Sequence, residues 1–285
     1  MAMYNVAIIG CGQIGVELLF DKTIPFSYSF AGAVFKNPNT RLVALIDTDM
    51  GKLANITKRL KEAGYPSDFN CYASLHEAIK DCKENGTPID IVCCAAGPKV
   101  NEAVIRQSKE LGIRGIFCEK PLTLSLAEAD ELAGIEAQLP VKIQVNYMRN
   151  FDTFHLAVLD YIRKGGIGEL LEARILYKGG IIAVAPHVFA LLHLLFGKPI
   201  EVSGCYSPLE NTRCLEDPNV DGIIRYHFAE QKRGVNVSVM ATGRGDIENN
   251  TYLFEFEFTG TKARVSILEN GFRARYERME LSKVF

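Results

Sequence analysis

The chain has 285 residues, enough for two domains rather than one small core. Its composition, 48% hydrophobic and 23% charged with a formal net charge of -2, is that of an ordinary globular protein and gives no sign of a nucleic-acid or membrane surface, so neither partner is expected. No apolar run approaches the ~20 residues of a bilayer span. With a turn motif opening at Gly10, no signal peptide is expected before it. The 8 cysteines include no C-x-x-C pair, so neither a zinc site nor a thioredoxin-like redox pair is expected and no metal site is assigned. Cys93 and Cys94 sit together in an apolar run, as buried thiols do, and Cys11, Cys71, Cys82, Cys118, Cys205 and Cys214 are scattered. Reduced thiols in a cytoplasmic protein are the expectation.

Residues 4–9 form a short apolar run ending at Gly10, the pattern of a buried parallel strand. Gln13 to Phe20 reads as a helix with Ile14, Leu18 and Leu19 inward. Residues 41–47 predict a second buried strand, and Met50 to Ala63 a helix stopped by Gly64 and Pro66. Ser74 to Lys80 is a short helix whose Ser74 and Glu77 make a capping-box pattern. Asp90 to Ala95, Gly115 to Cys118 and Val141 to Asn146 predict strands. Between them lie helices over Asn101 to Leu111, closed by Gly112, and Leu124 to Gln138. Regular alternation of strand and helix from residue 4 to 146 implies a doubly wound parallel α/β sheet, a Rossmann domain over residues 1–121 with 122–147 completing its sheet.

The character changes after residue 150. Asp152 to Lys164 is an amphipathic helix ended by Gly165-Gly166, and strand-like runs follow at 171–177, 200–206, 221–228, 235–241, 252–259, 262–268 and 273–281. Several alternate polar and apolar residues, as in Leu253-Phe254-Glu255-Phe256-Glu257-Phe258, the mark of a sheet with one wet face. One helix, Pro186 to Phe196, interrupts them. Residues 148–285 therefore read as an α+β domain on an open, largely antiparallel sheet that binds substrate and joins subunits, so a homo-oligomer is expected. The apolar pair Val284-Phe285 suits either the end of that sheet or a partner contact.

The turn Gly10-Cys11-Gly12-Gln13-Ile14-Gly15 has the strand before it and the helix after it that a dinucleotide site needs. Gly10 permits the tight turn, Gly12 lets the backbone approach a pyrophosphate, Gly15 lets helix pack on strand, and free N–H groups at the helix start face the phosphates. Asp47, at the end of the second strand, supplies the carboxylate that accepts from ribose hydroxyls and repels a 2′-phosphate, which favours NAD over NADP. Its spacing is anomalous: Asp47 stands 32 residues after Gly15, against the usual ~20. The excess falls in Asp21 to Asn39 and reads as a lengthened helix or loop.

Three further segments, Phe117-Cys118-Glu119-Lys120-Pro121-Leu122, Val145 to Asp152, and Gly165 to Leu170, together with the glycine turn resemble the glucose–fructose oxidoreductase and inositol dehydrogenase (Gfo/Idh/MocA) family over nearly the whole chain. The resemblance implies an oxidoreductase acting on a hydroxyl of a sugar, cyclitol or nucleotide sugar with NAD or NADP. It makes Lys120 the active-site lysine, whose ammonium stabilises an alkoxide or polarises a carbonyl. Glu119 and Pro121 then fix its loop beside the nicotinamide ribose, Asn146 lies near the nicotinamide, and Arg149 lies close to cofactor or substrate. Ala95, Ala96 and Pro98 match the loop along the cofactor, with Asn101 where the family usually has His.

The same resemblance makes His187 the proton acceptor that alcohol oxidation requires. Here the pattern departs from the family: Ala183 and Ala190 stand where a polar partner and an acidic residue are usual. That opens two alternatives to a sugar dehydrogenase. One is a family member that binds dinucleotide with weak or no turnover, as a sensor or structural cofactor. The other is a reductase of a non-sugar carbonyl or imine. Tyr147 and Tyr177 are fallback proton donors, His155 a candidate for substrate contact and His193 a core residue, while His76 and His227 fit surface or strand positions.

Overall fold

The computed structural model describes residues 3–23, 27–138, 140–208, 216–242 and 253–279. Cys214, Tyr252, the last two residues of the strand expected over 273–281, and Val284-Phe285 lie outside the described residues. The chain divides into two compact units, Met1–Asn146 and Tyr147–Phe285.

The first unit is built on six parallel strands, β1 (Tyr4–Ile9), β2 (Thr40–Ile46), β3 (Asn70–Tyr72), β4 (Ile91–Cys94), β5 (Gly115–Cys118) and β6 (Lys142–Val145), in the order β3-β2-β1-β4-β5-β6. Its helices are α1 (Phe30–Lys36), α2 (Met50–Glu62), α3 (Leu75–Glu84), α4 (Pro98–Leu111) and α5 (Leu126–Gln138). Alternate residues of one strand serve two cores. Val6 and Ile8 of β1 pack with Phe30 and Val34 of α1 and Leu53, Ile56 and Leu60 of α2. Ala7 and Ile9 pack on the opposite face with Ala78 of α3, Val104 and Ile105 of α4 and Leu132 of α5. Apolar residues on both sides of each strand are thus what a sheet covered twice demands. Strand order reverses between β1 and β4, and a doubly wound sheet binds its ligand outside the carboxyl ends at that point.

The helix expected over Gln13 to Phe20 is not formed as one piece. The chain leaves the glycine turn through a single turn, with Val16 and Glu17 donating to Gly12 O (2.9 and 3.0 Å), and passes into a 3-10 turn at Glu17–Phe20. The helix proper is α1, capped by Ser29, whose Oγ accepts from Gly32 N at 3.1 Å. Phe30 N donates to Ile14 O at 2.8 Å and Ala31 N to Gly15 O at 3.0 Å. In an unbroken α-helix those two carbonyls take the N–H groups of residues 18 and 19, four positions on. Phe30 and Ala31 stand in for residues 18 and 19, so twelve residues are inserted into the first helix. Removing them from the 32-residue separation of Gly15 and Asp47 restores the usual ~20.

Gly15 is where the helix start meets the strand: a Cβ there would lie 1.9 Å from Gly10 O, a backbone atom that cannot step aside. Gly15→Ala is expected to lower the stability of the first unit by about 2–4 kcal/mol and to abolish dinucleotide binding. Urea unfolding and cofactor fluorescence check both; a variant of unchanged stability would show that the turn relaxes freely.

The second unit opens with α6 (Thr153–Arg163) and carries seven strands, β7 (Leu170–Lys178), β8 (Pro199–Tyr206), β9 (Val220–Phe228), β10 (Arg233–Ala241), β11 (Leu253–Gly260), β12 (Ala263–Leu268) and β13 (Arg273–Arg278), with α7 (Ala185–Phe196) between β7 and β8. The sheet order is β13-β12-β11-β7-β10-β9-β8. One face is covered by Leu159 and Ile162 of α6 and by Val188, Leu191, Leu192, Leu195 and Phe196 of α7, packed on Ile175, Tyr177, Val237, Val239, Phe256 and Phe258. The other face exposes Leu176, Ile223 and Met240. Among the described residues, all neighbouring strands of this sheet are antiparallel except β7 with β10. The α7 crossover causes the exception: it carries the chain over the sheet to β8, and the two hairpins β8–β9–β10 return it beside β7 in β7's own direction.

Candidate functional site

In the first unit, the carboxyl ends of β1, β2 and β4 surround a cleft of ≈ 580 Å³. Of the expected cofactor residues, Gly10, Gly12, Asp47, Ala95 and Ala96 line it, joined by Thr48, Lys52 and Gln107, which the motif had not pointed to. A Cβ on Gly12 would meet, beyond its own chain neighbours, no atom of the described residues within 4 Å. The open space beside that backbone is the cradle a pyrophosphate fills, so these residues fit a dinucleotide. Asp47 follows β2 directly. Its Oδ2 accepts from Cys11 N at 2.9 Å and from Lys52 Nζ at 2.8 Å, and its Oδ1 from Asp49 N at 3.0 Å. Burial pushes the Asp47 carboxyl upward, but the bonds from Lys52, Asp49 and Cys11 together outweigh it and hold the group below its ordinary range. Gln13, Ile14 and Gly15 form the turn itself, and Pro98 is the first residue of α4, where a missing N–H costs nothing.

A second group gathers at the ends of β5 and β6. Glu119, Lys120 and Pro121 follow β5, with a cis bond between Lys120 and Pro121. Asn146 Nδ2 donates to Glu119 Oε1 at 2.5 Å, and Lys120 N to Glu119 Oε2 at 3.1 Å. Burial raises the Glu119 carboxyl, against the opposing pull of Asn146 and Lys120. Asn101, fully buried on α4, donates from Nδ2 to Glu119 O at 3.0 Å and toward Pro121 O at 3.4 Å. The departure from the family pattern thus has a structural job: one amide ties the carbonyls on either side of Lys120 and fixes the loop that presents it.

Arg149 and His187 belong to the second unit. The Arg149 guanidinium lies 3.9 Å over the Phe254 ring. His187 sits in the first turn of α7, its N–H on Val184 O at 3.0 Å, and the Tyr147 ring meets it edge-on at 6.4 Å. Tyr147 is partly buried, which raises its phenol. Tyr177 is no fallback donor: it is fully buried, its hydroxyl donating to Val220 O at 2.8 Å and accepting from Val220 N at 2.6 Å. His155 is likewise buried, with Nδ1 2.5 Å from Asp152 Oδ2, and burial lowers its basicity against the pull of Asp152. His193, expected in the core, is exposed on α7. His76 and His227 are exposed, His227 on β9.

The segment before α7 is held from a distance. Asp217 accepts from Ile182 N at 2.6 Å and Ala183 N at 2.9 Å, and Asn219 Oδ1 accepts from Gly180 N at 3.2 Å. Gly180 has φ +92, and a Cβ on it would lie 2.2 Å from Asp217 Oδ2. Where the family carries a polar side chain at position 183, this chain fastens the backbone of Ala183 to a buried carboxylate. Lys52, Asn101 as a brace and Asp217 were not found by sequence reasoning. Lys52 had a local signal, one helical turn beyond Asp47; Asp217 had none.

The seven described cysteines are free thiols. Burial pushes Cys93 and Cys118 up to about 12 and Cys94 to about 11, so they are unreactive packing groups at neutral pH. Among the described residues no cluster of His, Cys, Asp and Glu is placed to hold a metal, and no helix is long and apolar enough to cross a membrane.

A doubly wound parallel sheet with a glycine turn and an acidic residue at its switch point defines a dinucleotide-binding α/β protein of the Rossmann class. Residues 4–147 match the Gfo/Idh/MocA oxidoreductase family, NAD-binding Rossmann fold, and the chain belongs to that family. It is 26% identical over 224 residues to an inositol 2-dehydrogenase of Leifsonia xyli subsp. xyli, covering 74% of this chain and 59% of that protein. It is 26% identical over 235 residues to the scyllo-inositol 2-dehydrogenase (NAD(+)) of Bacillus subtilis, covering 77% of this chain and 62% of that protein. The chain therefore spans about three fifths of the length of these relatives. Its fold is that of an oxidoreductase from Agrobacterium radiobacter solved with NAD+, L-tartaric acid and magnesium, with a TM-score of 0.70 at 15% identity over 96% of this chain and 77% of the other.

Proposed function

We propose that this chain is an NAD-dependent oxidoreductase that interconverts a ring hydroxyl and a carbonyl on a cyclitol, sugar or nucleotide sugar. The observation that carries the reading is the placement of Lys120. It is fixed by Asn101 and Glu119 on the carboxyl edge of the same sheet whose glycine turn and Asp47 form the cleft. In this reading the amides of Gly10 to Gly15 hold the pyrophosphate, Asp47 the adenosine ribose, and Ala95, Ala96 and Pro98 the length of the cofactor. Glu119, Pro121 and Asn146 hold the nicotinamide ribose, and Arg149 serves cofactor or substrate. The bound dinucleotide supplies or accepts the hydride. Lys120 places its ammonium against the reacting oxygen and stabilises the negative charge that develops there. His187 takes the hydroxyl proton in oxidation and returns it in reduction. Two inositol dehydrogenases among the relatives support the cyclitol or sugar class.

A cytoplasmic homo-oligomer completes the proposal, with subunits meeting through the open sheet face. Leu176, Ile223 and Met240 are exposed there, apolar positions that a partner sheet would cover. A second reading, dinucleotide binding with little turnover, is favoured by Ala183 and Ala190 in place of polar groups. Reduction of a non-sugar carbonyl or imine, for which Lys120 suffices, is a third.

NADH and NADPH titrated by fluorescence, followed by a turnover screen over inositols, sugars and nucleotide sugars, separate these readings. NADH binding with turnover of a polyol ring is expected. Binding with no turnover would favour the second reading, and binding of neither cofactor would overturn all of them.

A further inference from the structure

We infer that Lys52 is a second ligand of the adenosine ribose, sharing the two hydroxyls with Asp47 and setting cofactor affinity with it. The inference rests on the dinucleotide reading of the cleft and concerns how that cleft holds its ligand. Each carboxylate oxygen has about two acceptor sites. Asp47 Oδ2 already accepts two donors, Cys11 N and Lys52 Nζ, and Oδ1 accepts Asp49 N. One site is left on Oδ1, whereas a ribose presents two vicinal hydroxyls. Asp47 alone therefore cannot hold the diol.

Lys52 supplies what is missing. Its ammonium carries three donors, one of them on Asp47 at 2.8 Å. It lines the same cleft as Asp47, Gly10 and Gly12, and its side chain is 35% exposed, so a ligand reaches it. Asp47 Oδ1 accepts from one ribose hydroxyl, and Lys52 Nζ donates to the oxygen of the other. The charged groups facing one another here are Asp47, Asp49 and Lys52, a net of one negative charge. That charge disfavours the phosphate of NADP even with a lysine present.

The test is the Kd of NADH, 2′-deoxy-NADH and 3′-deoxy-NADH (deoxy at the adenosine ribose) for the wild-type protein, Lys52→Met and Lys52→Arg. Lys52→Met is expected to weaken NADH roughly tenfold, as loss of a hydrogen bond from a charged donor does. The loss should shrink below about twofold for whichever analogue lacks the hydroxyl Lys52 holds, and persist for the other. Lys52→Arg keeps a donor and should stay within about threefold of wild type. An equal Lys52→Met loss on all three ligands would show that Lys52 only positions Asp47, and no loss would show that it is a bystander; either overturns the inference while the dinucleotide reading stands. A wild-type protein that binds no NADH would overturn that reading, and the ribose assignment with it.

Discussion

Lys120→Ala is expected to lower kcat by about 10²–10³-fold, the cost of removing one charge-stabilising donor from a developing oxyanion, while NADH still binds within about tenfold of wild type. The two outcomes are coupled to the structure. The loop that carries Lys120 is fixed by backbone and neighbouring groups, through Asn101 on the carbonyls of Glu119 and Pro121 and through Glu119 on Asn146. Truncating the side chain leaves those ties intact. Steady-state kinetics with the substrate found by the screen, set beside NADH titration, check both. A variant that keeps its kcat would move charge stabilisation to another group. One that loses NADH binding in step with kcat would make Lys120 a cofactor ligand only.

The largest expected effect on stability comes from Asp217. Its carboxylate is buried and accepts the N–H groups of Ile182 and Ala183. Asp217→Ala leaves both donors without their acceptor, at about 1–3 kcal/mol each, so a loss of about 3–5 kcal/mol in the second unit is expected. Asp217→Asn keeps one acceptor oxygen and should lose about half as much. The urea midpoint of the second unit reports this directly. Because the same segment runs into the first turn of α7, kcat should fall as well if His187 is the proton acceptor. A stability change below about 1 kcal/mol would mean that the segment is held mainly by Asn219 and its own turns.

What the sequence made legible was local. The run Tyr4 to Ile9, the glycine turn after it and Asp47 at the end of β2 are each read from a few consecutive residues, because buried parallel strands and phosphate turns have strict local requirements. Strand alternation located the second sheet and its largely antiparallel character but could not single out the one parallel pair, β7 with β10, since alternation reports which face is wet and not which strand lies alongside. Tyr177 shows the limit from the other side. Its place two residues beyond Ile175 puts it on the buried face, and burial rather than chemistry decides its role. The short β3 was missed because three residues at the sheet edge, none of them fully buried, carry too little pattern. Asn101 and Asp217 could not have been placed, because their partners lie 18 to 35 residues away and meet them only in the folded chain.

The break in the first helix bears on how such motifs are recognised at all. The hydrogen bonds from Phe30 to Ile14 and from Ala31 to Gly15 seal the helix across the insertion, so its two ends are one helical turn apart. Closing a loop costs little more as it lengthens, about 0.6 kcal/mol for each doubling, and the frame between Gly15 and Asp47 is undisturbed. The ruler that matters to a nucleotide is therefore spatial. Counted along the polypeptide, glycine and carboxylate look too far apart; counted along the hydrogen-bonded helix, they are in register. A pattern search that fixes the residue count between them would pass over this chain, whereas one that lets the first helix be interrupted would not.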